Sequence, residues 1–135
     1  MTYNLFISHS WSHSDLYDKL INLLNMDSGF VYKNYSVPKN DPIHNARNDL
    51  QLYNAIKNQM KYASIVLVLA GVYASYSKWI DKEINIAKHE FAIPKKIIAV
   101  EYWGSERTSL KVKISADKIV KWNTSSIVNA IRELS

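Results

Sequence analysis

One acid in this sequence stands where an acid is expensive. With the residues around Tyr76–Phe91 placed at about 100° steps from Tyr76, Ile80 falls near 40°, Ile84 near 80°, Ala87 near 20° and Trp79 near 300°. Lys78, Asp81, Lys82, Asn85, Lys88 and His89 occupy the opposite arc, between about 120° and 240°. Glu83 falls near 340°, inside the apolar arc and one turn after Trp79. An ionised carboxylate there must face a polar cavity or a partner. It is then either a chemical group at a binding edge or a structural acid, hydrogen-bonded to a loop or paired with a lysine. Glu90 also maps to the apolar arc, near 320°, but about 10 Å further along the axis, where it can reach solvent or a lysine such as Lys95.

A second cluster, Ser8-His9-Ser10-Trp11-Ser12-His13, offers a histidine pair for a metal or a serine–histidine pair for nucleophilic attack. Two loop histidines with no third clustered ligand fit hydrogen bonding better, and no metal is expected. The chain has no cysteine, which excludes disulfides, thiolate metal sites and a cysteine nucleophile. Its three glycines, Gly29, Gly71 and Gly104, form neither a dinucleotide fingerprint nor a phosphate loop. A phosphorylated receiver would need an aspartate after the third strand, where Leu69-Ala70-Gly71 stands instead.

The elements that must position these groups alternate between strand and helix. Tyr3–Ile7 is β-prone, and Ser14 or Asp15 can cap a helix carrying Leu16, Leu20, Ile21, Leu23 and Leu24. Phe30–Tyr35 reads as a second strand, and two prolines make Ser36–Pro42 a loop. Leu50, Leu52, Tyr53, Ile56 and Met60 mark the next helix, and Ser64–Ala70 is an apolar run suited to a central strand. A helix over Ser75–Phe91 closes before Pro94, Lys96–Val100 is a further buried strand, Lys118–Lys121 a short edge strand, and Asn123 or Thr124 caps a last helix. The expected fold is a single α/β domain over residues 1–135: a flavodoxin-like three-layer sandwich whose five-stranded parallel sheet has the order 2-1-3-4-5, with helices on both faces. Ligands in such sheets sit outside the carboxyl ends of the strands, where strands 1 and 3 diverge. That edge receives Ser8 to Trp11, the Ser36–Ile43 loop, Gly71 and Tyr73, and Glu101 to Trp103.

Composition narrows the partners. Seventeen basic against twelve acidic residues give a net charge of +5, yet only Lys95 and Lys96 are adjacent lysines and just three arginines occur. This dispersed charge suits solubility better than a nucleic-acid groove. No run approaches the ~18 apolar residues of a spanning helix, and no signal peptide opens the chain, so a cytoplasmic protein without membrane partners is expected.

In order along nearly the whole chain, the residues resemble TIR domains, in particular the bacterial and archaeal TIR-like branch. Tyr3–Ser10 is similar to the opening TIR strand and its loop, Pro38–Ile43 to the mobile BB loop, and Lys121-Trp122-Asn123 to the aromatic box before the last helix. The most specific match is Tyr73–Glu83, which resembles the segment where a serine-rich turn leads to a tryptophan and, four residues on, the catalytic glutamate. The resemblance implies cleavage of NAD at the nicotinamide–ribose bond, with Glu83 as the catalytic carboxylate, NAD as substrate and no cofactor. Nicotinamide leaves as a neutral molecule, so the acid's task is to favour the positive charge developing on the ribose. By position, Trp79 would wall the ribose site, Ser8 and His9 would contact the nicotinamide end, and the loop containing Asp41 would close over the substrate. A cyclic ADP-ribose-type product acting on a separately encoded effector, as in Thoeris anti-phage systems, and self-association on activation are further implications. The alternative is a non-catalytic interaction scaffold that uses the Pro38–Ile43 loop and exposed aromatics.

Overall fold

The computed structural model describes residues 2–8, 14–36, 49–70, 78–102 and 110–135. In chain order the elements are β1 (Thr2–Ser8), α1 (Ser14–Asn25), β2 (Val31–Asn34), α2 (Asp49–Met60), β3 (Ile65–Ala70), α3 (Lys78–His89), β4 (Lys96–Glu101), α4 (Leu110–Ser115), β5 (Lys118–Lys121) and α5 (Thr124–Leu134). All strand pairs are parallel, in the order β2-β1-β3-β4-β5 expected from the alternation of elements.

Alternation along the strands builds two cores. On one face Leu5, Ile7, Ile65, Leu67, Leu69, Ile98 and Val100 meet Leu16, Leu20 and Leu24 of α1 and Ile127, Val128 and Ile131 of α5. On the other, Phe6, Val66, Val68, Ile97 and Ala99 meet Ile56 and Met60 of α2, Ile84, Ile86 and Ala87 of α3 and Val112 of α4. β3 is fully inside from Ile65 to Leu69, as its uninterrupted apolar run requires of a strand covered on both faces.

The differences from the sequence expectation are local. β2 is shorter than Phe30–Tyr35, because Phe30 is buried in the core and its N–H bonds the carbonyl of Asp27 at 3.1 Å. α3 stops at His89, and the chain returns so that the Lys95 N–H bonds the Ala87 carbonyl at 2.9 Å; residues 75–77 lie outside the described residues. α4 was not anticipated, since its six residues are too few to display a helical period. α5 begins as its sequence predicts: Asn123 is extended, and its side-chain oxygen accepts the Ser126 N–H at 2.8 Å. Among the described residues no helix is long and apolar enough to cross a membrane.

Candidate functional site

The sheet reverses its direction of growth between β1 and β3, and the carboxyl ends of these two strands flank the resulting crevice. Ser8, the last residue of β1, lies in register with Val68 at that point. It follows Phe6 by two residues and so shares the face covered by α2, α3 and α4. Ser8 is fully buried, and its Oγ makes no hydrogen bond to any described residue. A buried hydroxyl in that condition is costly and marks a place where a ligand atom would be welcome.

Glu83 enters the same layer from the second turn of α3. It is 1% exposed, next to Ile84 and near Ile86 and Ala87, all of which pack in that core. Burial this deep is rare for a glutamate and answers the expectation drawn from the helical wheel. Glu90 behaves differently. It lies just past the end of α3, exposed, and its carboxylate holds the Tyr53 hydroxyl. That hydrogen bond, with burial second, raises the tyrosine pKa above its ordinary value.

A polar relay braces the β1 edge from the other side. Odd-numbered residues of β1 turn their backbone groups toward β2, and the ladder runs as far as the Tyr35 N–H bonding the Leu5 carbonyl at 2.8 Å. The next donor, the N–H of buried Ile7, bonds the Ser36 Oγ at 2.8 Å. Ser36, only 7% exposed, in turn donates its hydroxyl to Asn34 Oδ1, which also accepts the Ser36 N–H at 2.9 Å. Asn34 Nδ2 donates to the Tyr17 hydroxyl of α1 at 2.5 Å. Three segments bordering the crevice are thus tied together: the first turns of α1, the end of β1 and the chain leaving β2.

Of the residues singled out from sequence, Ser8 and Glu83 fall in one layer behind the carboxyl edge. Trp79 lies in α3 one turn before Glu83, with its side chain outside the described residues, as are His9 and Asp41 altogether. Sequence reasoning passed over Ser36 and Asn34 as loop and strand residues. An asparagine two positions before a serine is the spacing of an Asx turn, the one signal that was present. Two surface hollows, about 820 Å³ beside Trp122 and Thr124 and about 200 Å³ beside Tyr53 and His89, are lined by neither Ser8 nor Glu83.

A doubly wound parallel domain with a deeply buried acid behind its switch point defines the class. The model of the TIR-like domain of Thoeris protein ThsB matches residues 6–107, and the chain belongs to that family. No curated protein matches the sequence. Among solved structures, a prokaryotic SEFIR domain is similar with a TM-score of 0.53 and 21% identity, over 98% of this chain and 95% of that one. A Clostridium botulinum CMP N-glycosidase, BcmB, is similar with a TM-score of 0.50 and 13% identity, over 96% of this chain and 98% of that one. At such identities these two likenesses concern the fold.

Proposed function

We propose that this TIR-like protein cleaves NAD at the nicotinamide–ribose bond, with Glu83 as the catalytic carboxylate, and forms an ADP-ribose-type signal in Thoeris anti-phage defence. The observation that carries the reading is the burial of Glu83 to 1% exposure in α3 of a ThsB-type domain, in the layer that also receives Ser8. The chemistry suits a single acid. Nicotinamide departs neutral, so no proton need be delivered to it, and the barrier lies in the positive charge gathering on the ribose. A carboxylate hydrogen-bonded to the ribose hydroxyls in a partly dry pocket opposes that charge far more strongly than water does. Whether water or a group of the same nucleotide then attacks the ribose decides between linear and cyclic ADP-ribose, and a site that excludes water favours the cyclic product. In this reading Trp79 walls the ribose, Ser8 and His9 meet the nicotinamide end, the segment with Asp41 closes over the substrate, and self-association completes the site. The product then acts on a separately encoded effector in the cytoplasm.

The test is chromatography with mass detection of nicotinamide and nucleotide products from NAD, using wild type and Glu83→Gln over a wide protein concentration range. The expected outcome is nicotinamide release by wild type that rises faster than linearly with protein, a cyclic product mass, and its absence in Glu83→Gln. CMP in place of NAD checks the substrate class, since it offers a base–ribose bond whose base carries no positive charge and so does not leave as a neutral molecule without a proton. No turnover of either, even with lysate of phage-infected cells added, contradicts the enzyme reading and leaves the interaction scaffold.

A further inference from the structure

We infer that Ser36 is a positioning residue of this site: its side chain takes the place of the missing β2 backbone at the end of β1 and so fixes where Ser8 presents itself to the ligand. The inference rests on the functional reading above for its ligand and on the fold alone for its anchor.

A parallel ladder continued by one rung would give the Ile7 N–H to the carbonyl of residue 35. It goes instead to Ser36 Oγ at 2.8 Å, after the regular β1–β2 pairing has ended at Leu5↔Asn34. This substitution has two consequences. The main chain at 35–36 is released from the sheet. The buried Ile7 N–H remains satisfied although its neighbouring strand has stopped, so β1 holds its extended course through Ser8. Ser36 is itself held from both its N–H and its hydroxyl by Asn34 Oδ1, and Asn34 by Tyr17, so its Oγ is aimed before any ligand arrives. Ser8 is one residue beyond the anchored amide. Ser36 therefore acts through Ile7 and Ser8 and not by touching the substrate.

The experiment compares wild type, Ser36→Ala and Ser36→Thr by NMR-detected exchange of the Ile7 amide hydrogen, NAD kinetics and thermal unfolding. Threonine keeps an Oγ with the same donor and acceptor capacity; alanine removes it. In Ser36→Ala the Ile7 amide is expected to exchange faster and KM for NAD to rise about tenfold, the scale of one lost hydrogen bond. The same variant should keep kcat within about threefold and remain folded, and Ser36→Thr should return both readouts toward wild type. Unchanged Ile7 exchange and unchanged KM in Ser36→Ala would overturn the inference. So would a KM increase that threonine fails to restore, or a loss confined to thermal stability. If wild type turns over no NAD, the functional reading falls, and the anchor is judged by Ile7 alone: faster exchange in Ser36→Ala sustains it, unchanged exchange ends it.

Discussion

Two acids near the layer formed by α2, α3 and α4 lie at different depths. Asp117, between α4 and β5, sits beside the start of β4, where its Oδ2 accepts both the Ile97 N–H at 2.8 Å and the Lys88 Nζ at 2.7 Å. Partial burial pushes its pKa upward, but the hydrogen bonds from Lys88 and Ile97 and the charges of Lys88 and Lys96 outweigh it, so the carboxyl lies below its ordinary value. Glu83 lies deeper, among aliphatic residues of α3 behind the opposite edge of the sheet. An acid that serves the fold is found where pairing offsets its partial desolvation. A glutamate at 1% exposure is unusual, and in the proposed reading that depth gives its carboxylate a partly dry site in which to act. On that reading the shallower acid beside the start of β4 serves the fold, and the deeper one in α3 serves the reaction.

The contrast can be broken by substitution. The largest effect is expected for Glu83→Gln, which keeps the shape of the side chain: NAD turnover should fall about a hundredfold or more while the thermal midpoint stays close to wild type. Next, Ser8→Ala should raise KM for NAD about three- to tenfold, yet leave stability equal or higher, because it removes a buried hydroxyl with no described partner. Steady-state kinetics and a melting curve on the same sample check both halves.

Asp117→Ala should behave in the converse manner, costing about 1–3 kcal/mol in denaturant unfolding by leaving the buried Ile97 N–H unpaired, with turnover of the folded protein unchanged. Its pH dependence has a definite sign. A folded pKa below the unfolded value near ~4 means that the stability Asp117 supplies is complete above that value and is lost as pH falls through the lower folded one. The difference between wild type and Asp117→Ala should therefore narrow on acidification. The smallest effect is reserved for Glu90→Gln, an exposed change expected within about 0.5 kcal/mol of wild type and silent in turnover.

Much of this was legible in the sequence. The apolar run Ser64–Ala70 and the strand–helix alternation led to the sheet order, and the wheel position of Glu83 led to its burial. Residues whose roles depend on tertiary register were not legible. Ser36 matters because β2 stops one rung before β1 does, a fact that exists only once the two strands are paired. α4 is too short to carry a period, and Asp117 looks like any polar residue before a short strand until Lys88 and the Ile97 amide converge on it.

The most direct test of the central claim is nicotinamide release from NAD by wild type, Glu83→Gln and Asp117→Ala, each measured at the concentration where wild type turns over fastest and at a temperature where all three remain folded. The account predicts that wild type and Asp117→Ala release nicotinamide at comparable rates and that Glu83→Gln does not. Wild-type turnover in Glu83→Gln would contradict it, because the buried acid would then be a part of the fold alone.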